Sequence, residues 1–223
     1  MEQRGREFCL DVAGPYACFT RPEFKVERVS YDVITPSAAR SIFEAIFWKP
    51  AFRWQVTKIE IMNPIKWFSI RRNEVGALAS LGKSSIFIED LRQQRNALML
   101  KDVRYRLYAF QVLKDSEERK GEKHSPGDDE NIGKYQAMFE RRASKGQCFT
   151  QPYLGTRECA CSFRLVEDIG KEPKAFDVNA DFGYMLYDLD FSNPKDIGRL
   201  LYRPSAEHGV IIVPPLDSEE VLR

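Results

Sequence analysis

Residues 30–50, SYDVITPSAARSIFEAIFWKP, predict a strand that passes through a capped turn into an amphipathic helix. Thr35 is a favourable helix N-cap, and Pro36 follows in the first turn, where proline is tolerated. The helix has to end before Pro50, because the residue preceding a proline disfavours helical backbone. One broad apolar face follows helical spacing: Ala38, Ala39, Ile42, Phe43, Ile46 and Phe47. Two aromatic rings and one cation end the segment, Phe47, Trp48 and Lys49. A plain core helix with a charged last turn is the alternative interpretation.

The composition is that of an ordinary soluble protein. The chain has 223 residues, of which 43% are hydrophobic and 30% charged. Such a chain can bury a full core and corresponds to one large domain or two small ones. It contains no apolar run of about 18 residues, so no membrane-spanning helix is expected. The first residues lack the apolar stretch of a secretory signal, so we expect a cytoplasmic protein.

Cysteine and histidine usage bounds the options for disulfides and metal sites. The five cysteines are Cys9, Cys18, Cys148, Cys159 and Cys161, an odd number without the spacing of a zinc finger. The sequence has only two histidines, His124 and His208. We therefore expect reduced thiols, no metal and no other cofactor.

Charge is distributed unevenly, although the formal net charge is only +1. Residues 51–110 carry 11 basic and 5 acidic side chains, whereas residues 151–223 carry 8 basic and 13 acidic ones. This asymmetry favours a basic surface for a polyanion and an acidic part that faces other partners. A solvated charged face is the alternative.

The remaining periodicity predicts a strand-rich protein with two main helices. Strands are expected at residues 6–13, closed by Gly14 and Pro15, at 52–61 with one slip of phase, at 65–72 and at 92–112. A second helix is expected at about 131–144, and the chain is strand-rich from residue 159 onward. The predicted fold class is α+β, with a ferredoxin-like (RRM-like) N-terminal domain, residues 1–150, and a small antiparallel β-sheet C-terminal domain, residues 151–223. Trp48 and Trp67 are expected in the core.

The strand at residues 92–112 is unusually basic, with Arg92, Arg95, Lys101, Arg104 and Arg106 among alternating apolar residues. Basic side chains on one face, with tyrosines nearby, would suit a nucleic-acid backbone and stacked bases. The alternative is an edge strand that uses Lys and Arg to deter aggregation. The charged run at 114–130 that follows is expected to be a loop.

Five stretches carry a family resemblance through nearly the whole chain. They are GPYACFTRPE (14–23), SYDVITPSAARSIFEAIFWKP (30–50), RNALMLKDVRY (95–105), NIGKYQAMFERRASKGQCF (131–149) and PYLGTREC (152–159). Together they resemble the Cas-five family of CRISPR-associated proteins in its subtype I-C form, the d variant. The resemblance implies an RNA-binding fold, with an RRM-like N-terminal domain and a small β-sheet C-terminal domain.

The resemblance also implies a function. Members of this subtype are expected to cleave precursor CRISPR RNA at the repeat hairpin and to stay on the 5′ handle of the mature crRNA inside the surveillance (Cascade) complex. The implied partners are that RNA, Cas-seven and Cas-eight type subunits, and target DNA reached through the complex. A non-catalytic handle-binding subunit is the alternative, and a generic RRM-like RNA binder is a third possibility.

The mechanism implied by the resemblance is metal-independent. The 2′-hydroxyl beside the scissile phosphate is the nucleophile, and a cyclic phosphate is left on the product. Such a reaction needs a group to accept the hydroxyl proton, a cation for the phosphorane charge and a donor to the leaving oxygen. Some relatives use a tyrosine at the end of the first helix and a lysine–histidine pair at the start of the second, and the matching residues here are Phe47, Lys134 and Tyr135. Phe47 cannot transfer a proton, and Tyr135, with an unperturbed pKa near ~10, is a poorer base than histidine.

The resemblance and the distribution of basic and aromatic residues predict a set of site residues. The catalytic candidates are Lys134, Tyr135 and Tyr31, with His124 as a further candidate for proton transfer. The RNA-binding candidates are Phe19, Arg21, Lys25, Phe47, Arg95, Lys101, Arg104 and Arg157. Arg157 lies beside Gly155, which lets backbone approach a ligand, but an internal salt bridge near Glu158 is the alternative. The Tyr31 side chain is expected either in the core or on the RNA face.

Overall fold

The computed structural model describes residues 3–24, 26–78, 80, 82, 85–114, 131–191 and 195–223. Lys25 and His124 lie outside the described residues, as do residues 115–130 of the loop expected at 114–130. The strands are β1 (Arg4–Ala17), β2 (Arg28–Val29), β3 (Phe52–Ile61), β4 (Trp67–Val75), β5 (Arg92–Leu113), β6 (Ser162–Val166), β7 (Ala180–Asp181), β8 (Met185–Asp190), β9 (Gly198–Tyr202), β10 (Ser205–Ala206) and β11 (Val210–Ile212). The helices are α1 (Pro36–Ile46), α2 (Ile88–Leu91) and α3 (Ile132–Ser144), with a short 3-10 helix at Ile169–Lys171.

Helix α1 begins and ends as the sequence predicts. The Thr35 hydroxyl accepts a hydrogen bond from the backbone N–H of Ala38 at 3.3 Å, which confirms it as the N-cap. Phe47 already has extended backbone, and its N–H donates to the Phe43 carbonyl at 3.0 Å. The apolar face lies in the core, because Ala39, Ile42, Phe43 and Ile46 are each at most 1% exposed.

A seven-stranded sheet forms the centre of the described structure. Its strand order is β11-β3-β5-β1-β6, and β2 and β4 also pair with β5. The β2–β5 pair is parallel and the others are antiparallel. Two small antiparallel pairs, β7–β10 and β8–β9, complete the strands. This confirms an α+β protein built mainly of antiparallel sheet.

Two details of the strands test the sequence predictions. The predicted slip of phase in β3 is confirmed, since the register with β5 shifts between Val56 and Lys58. The predicted end of β1 at Gly14 and Pro15 was wrong, because the strand continues to Ala17. Pairing with β6 stops at Ala13, so the later part of β1 pairs with β5 on one side only. A proline is tolerated in a strand with a free edge.

Helices α1 and α3 pack on one side of the sheet, which we call the helix face. Phe43 of α1 and Phe139 of α3 both contact Trp54 of β3, with ring centroids 4.9 and 4.6 Å apart. Phe8 of β1 adds an edge contact to Phe139 at 4.8 Å. All four rings are at most 4% exposed, so this aromatic cluster fixes the two helices against the sheet.

The other side of the sheet carries buried ion pairs, and we call it the ion-pair face. Side chains alternate between faces along a strand, so Asp11 lies there between two residues of the helix face. The Arg104 guanidinium donates to Asp11 at 2.9 and 2.6 Å, and Arg164 adds a third hydrogen bond at 3.0 Å. Arg106, only 2% exposed, pairs with Glu60 at 3.1 Å. Arg104 and Arg106 of the basic strand are therefore neutralised within the chain.

Acid should weaken the ion-pair face. Burial alone raises the pKa of Asp11, but the hydrogen bonds and charges of Arg104 and Arg164 outweigh burial and hold that pKa below its usual range. A lowered folded-state pKa contributes stability above the unfolded value of about 3.9, and this stability is lost as pH falls through the folded-state pKa. We expect the free energy of unfolding, measured with urea, to fall as the pH is lowered from about 5 to about 3.

The variant Asp11→Asn isolates this contribution. It should cost about 1.5–3 kcal/mol at pH 7, the usual worth of hydrogen bonds to charged groups, and should flatten the acid dependence. Asp181→Asn is the matched control, because Asp181 pairs with Arg203 at 2.6 Å in an exposed setting, where solvent screens the pair. An equal loss of stability in the two variants would contradict the assignment.

Candidate functional site

The end of α1 and the start of α3 meet at a cluster that we call the helix junction, formed by Phe47, Phe52, Lys134 and Tyr135. The rings of Phe47 and Tyr135 have centroids 6.3 Å apart, and Phe52 lies 5.6 Å from Phe47 and 5.2 Å from Tyr135. Phe47 is 3% exposed and Tyr135 is 6% exposed, whereas Lys134 faces solvent. The fold thus brings to one place the three residues that the sequence resemblance matches to catalytic positions of some relatives.

Local hydrogen bonds hold both helices at the junction. The Asn131 side chain caps α3 and accepts from the backbone N–H of Lys134 at 2.8 Å. At the other end of α3, Arg142 donates to the Ile46 carbonyl at 3.0 Å. That carbonyl belongs to the last turn of α1, where no intrahelical donor is available. The backbone beside Phe47 is therefore fixed by α3 itself.

Two further lysines lie at the same end of the sheet, near Phe52. Lys49 is exposed, and its carbonyl accepts from the N–H of Phe52 at 3.4 Å. Lys114 follows the end of β5, and its N–H donates to the Ala51 carbonyl at 3.0 Å. Lys114 was not predicted from the sequence, because it reads as the first residue of a charged run. Only the pairing of β5 with β3 would have placed it beside the junction.

The junction can offer positive charge but has few groups for proton transfer. Exposed ammonium groups beside a phosphate can stabilise the charge of a phosphorane. Phe47 has no ionisable group, so the phenol of Tyr135 and the ammonium of Lys134 are the ionisable groups of the junction. Since that phenol belongs to a largely buried ring, it would act at the floor of any RNA site here.

Tyr31 lies apart from the junction. It precedes α1, whose 11 residues span about 16 Å at about 1.5 Å each, whereas Phe47 follows the helix. The Tyr31 ring is 2% exposed and packs under the Arg21 guanidinium, 4.7 Å from the ring centre. Burial, with a smaller effect of Glu23, raises the pKa of Tyr31 above its ordinary value. The side chain therefore points into the core rather than out of it and stays protonated at neutral pH.

The other residues predicted to contact RNA differ in burial and in whether they already form hydrogen bonds or ion pairs within the protein. Phe19 is 3% exposed, and Arg21 donates to the Ser30 carbonyl at 3.1 Å and to Asp32 at 3.0 Å. Arg95 donates to the Val26 carbonyl at 3.1 Å and to Gln93 at 3.0 Å. Lys101 and Arg157 are exposed and have no ion-pair partner among the described residues.

Arg157 is held outward by a tight turn at Gly155. Glu158, rather than Arg157, makes the internal salt bridges here, with Arg28 at 2.8 Å and Arg72 at 2.5 Å. Gly155 has φ +87, and a Cβ atom there would lie 2.0 Å from the Cys18 carbonyl oxygen. The turn is pressed against the end of β1, where the Cys18 N–H donates to the Leu154 carbonyl at 3.0 Å.

Gly155→Ala should destabilise the protein by roughly 2–5 kcal/mol, because a left-handed backbone and an overlap with backbone both oppose the new Cβ. Gly183→Ala is the matched control, since Gly183 has φ +66 but nothing within 4 Å of a Cβ. It should lose only the backbone term of about 1–2 kcal/mol. Urea unfolding of both variants measures the difference in stability. Equal losses of stability would show that the close contact at Gly155 adds no cost.

The described part of the chain contains neither a candidate metal-ion cluster nor a candidate membrane-spanning helix. There, no group of three or more His, Cys, Asp or Glu side chains is arranged to hold a metal ion. None of the helices in the described ranges is long and apolar enough to cross a membrane. The thiols of Cys9, Cys18, Cys159 and Cys161 are free and buried, and that of Cys148 is free and half-buried.

Fold and junction together define an α+β protein of mainly antiparallel sheet, with exposed lysines beside buried aromatic rings. Residues 8–214 match the family described as CRISPR-associated protein (Cas_Cas5), in its Cas5d form. The chain belongs to this Cas5 family, which confirms the resemblance seen in the sequence.

Two curated relatives carry the same name, CRISPR pre-crRNA endoribonuclease Cas5d. The protein of Mannheimia succiniciproducens is 46% identical over 230 residues, which cover 96% of this chain and 97% of the relative. The protein of Thermus thermophilus is 48% identical over 190 residues, which cover 85% of this chain and 75% of the relative.

Solved structures share the fold. One described as a CRISPR-associated protein has a TM-score of 0.73 and 25% identity, and the match covers 100% of both chains. A functionally uncharacterized protein from Streptococcus mutans has a TM-score of 0.70 at 23% identity, with 99% of both chains covered. A chain of a CRISPR RNA-guided surveillance complex has a TM-score of 0.52 at 12% identity, covering 94% of this chain and 92% of that one. The last two likenesses concern the fold alone.

Proposed function

We propose that this protein is an endoribonuclease that cleaves precursor CRISPR RNA at the repeat hairpin without metal and then stays on the 5′ handle as a subunit of a type I-C surveillance complex. The observation that carries the proposal is the 46% identity, over 96% of this chain, with a relative named for pre-crRNA cleavage. The meeting of Phe47, Lys134 and Tyr135 at the helix junction supports it.

We also propose that the core of the fold is ferredoxin-like. The elements β1, α1, β3, β5, α3 and β6 follow one another as βαββαβ. Within the sheet the four strands are ordered β6-β1-β5-β3, that is fourth, first, third, second. Residues 1–150 would contain the RNA-processing part, and residues 151–223 would form a β-rich part that also lends β6 and β11 to the sheet.

In the proposed reaction the 2′-oxygen of the RNA forms a bond to phosphorus while the bond from phosphorus to the leaving 5′-oxygen breaks. The 2′-hydroxyl loses its proton, the leaving oxygen gains one, and the product keeps a cyclic phosphate. Lys134 stabilises the phosphorane charge, and Tyr135 transfers a proton at the floor of the junction. Tyr31 stays a prediction for proton transfer, to be tested with Tyr31→Phe.

For RNA binding we favour Lys101 and Arg157, because both are exposed and have no ion-pair partner in the described residues. Phe19, Arg21, Lys25, Phe47, Arg95 and Arg104 stay predictions. Arg–phosphate contacts of this kind position the RNA without reading its sequence.

The test of the proposed function is incubation of the purified protein with its repeat RNA in EDTA. We expect cleavage to a cyclic phosphate product. A single 2′-deoxy substitution at the cleavage position should stop cleavage and leave binding intact, because the nucleophile is removed while most contacts remain. Loss of activity in EDTA, or cleavage of the 2′-deoxy RNA, would overturn the proposed mechanism.

One observation favours a second candidate function, that of a non-catalytic subunit that binds the crRNA 5′ handle. Phe47 stands where some relatives have a tyrosine, and the Tyr135 ring that stands for their histidine is only 6% exposed. Binding of repeat RNA without cleavage by the wild-type protein would decide for this alternative.

The proposed partners are Cas-seven and Cas-eight type subunits, with target DNA reached through the complex in the cytoplasm. Exposed acidic residues near the end of the chain, such as Glu219 and Glu220, fit an assembly surface. Glu219→Lys with Glu220→Lys should weaken co-purification with those subunits, and unchanged assembly would argue against this surface.

A further inference from the structure

A groove runs along the outer side of α1 and is separate from the ring cluster of the helix junction. Its floor is Ser37, Ser41 and Ala45 of the helix, followed by Trp48. One wall is the segment 149–155, which is bound to the helix because the N–H groups of Phe149 and Thr150 donate to the Ala45 carbonyl at 2.7 and 3.3 Å. The other wall is residues 186–191, at and just after β8. We call this the aromatic groove, because Trp48, Phe149, Tyr153 and Phe191 line it.

The four rings of the aromatic groove are open to solvent. Trp48 is 51% exposed, Phe149 81%, Tyr153 36% and Phe191 62%. None of them makes a ring–ring contact with another described residue, in contrast to the packed rings of the core. The burial of Trp48 expected from the sequence was therefore wrong, because the helix ends at Ile46 and Trp48 lies past the buried face. Exposed rings with free faces are what unpaired bases stack on.

Charge in the aromatic groove is compatible with a phosphate chain. The two carboxylates that line it, Glu44 and Asp188, both pair with Arg40, at 2.8 and 2.9 Å. Lys49 is the next residue after Trp48, and Arg157 lies two residues after Gly155. Both cations are exposed and lack an ion-pair partner in the part of the chain that the structure describes. The carboxylates inside the groove are therefore paired, and two exposed cations lie close in sequence to residues that line it.

We propose that the aromatic groove binds unpaired nucleotides of the RNA, an inference that rests on the proposed function. Trp48, at one end of the groove, directly follows Phe47 of the helix junction in the chain. Helix α1 is about 16 Å long, which corresponds to about five stacked nucleotides at about 3.4 Å each. A single strand that leaves the junction can therefore lie along α1, with bases on the rings and phosphates toward Lys49 and Arg157.

The test uses oligoadenylate RNA with a central 2-aminopurine, a base whose fluorescence is quenched by stacking. Trp48→Ala and Phe149→Ala should each weaken binding at least about fivefold and reduce the quenching, given what one base–aromatic stack contributes. Phe176→Ala is the matched control, because Phe176 is 40% exposed and its N–H donates to Ile61 of the sheet, away from α1. It should bind the probe as the wild type does.

Cleavage of the repeat hairpin is measured in the same variants, so that the two ideas fail separately. Wild-type cleavage together with normal probe binding by the groove variants would overturn the groove proposal and leave the proposed function standing. A wild-type protein that binds no RNA would overturn both. Variants that keep probe affinity but no longer associate with a protein subunit would also overturn the proposal, since the groove would then bind protein instead.

Discussion

Lys134→Ala is expected to lower the rate of repeat-RNA cleavage at least about 100-fold, in EDTA as well as in magnesium, because the variant removes the cation proposed to stabilise the phosphorane. Binding should change far less, since one exposed lysine is one of several cations near the RNA. Single-turnover cleavage with the protein in excess separates the two effects. Lys134→Arg should retain part of the rate, because it keeps the charge in a different geometry.

The control for this prediction lies on the same helix. Arg141 is an exposed cation in the last turn of α3, about 10 Å along the helix from Lys134 at about 1.5 Å per residue, so Arg141→Ala should cleave within a few-fold of the wild type. Like Lys134→Ala, this variant removes one positive charge from α3. Wild-type cleavage by Lys134→Ala, or an equal loss in Arg141→Ala, would remove Lys134 from the proposed mechanism.

Glu60→Gln is expected to cost about 3–5 kcal/mol of stability, the usual result of leaving a buried charge without its partner. Glu60 is 8% exposed and accepts from Arg106 at 3.1 Å, from Tyr108 at 3.0 Å and from Lys58 at 2.9 Å. The amide keeps the shape of the side chain but not its charge, so the buried Arg106 cation loses its compensation. Urea unfolding at pH 7 measures the change.

A double variant distinguishes loss of charge from general damage at this site. Glu60→Leu with Arg106→Met replaces the pair by apolar side chains, which is often close to neutral in a buried position, so it should recover much of the stability. Glu219→Gln, at an exposed position, should stay within about 0.5 kcal/mol of the wild type. If Glu60→Gln proves as stable as the wild type, the pair contributes little to the fold.

Local structure was largely predictable. Thr35 caps α1 as expected, the strand at 52–61 contains the predicted slip, and the helix of residues 132–144 begins after Asn131. These features depend on residues a few positions apart, so the pattern of side chains contains the information. The family, too, was evident from stretches spread along the chain.

The errors arose where pairing partners mattered. Pro15 was expected to close β1, but the free edge beyond Ala13 tolerates it. Arg104 reads as a basic surface residue, yet Asp11, 93 positions away, takes both hydrogen bonds of its guanidinium. No local pattern distinguishes an arginine that faces a phosphate from one that faces a carboxylate.

The two helices, the long strands, the α+β class and the family were predictable from the sequence, because each depends on local periodicity or on stretches read in order. Which of the conspicuous residues meet became clear only in the folded chain. Folding places the Phe47 ring against Tyr135, buries Tyr31 and leaves Trp48 and Phe149 exposed along α1. Burial and pairing depend on contacts between segments about a hundred residues apart, and these contacts are set by sheet register and helix packing rather than by local spacing.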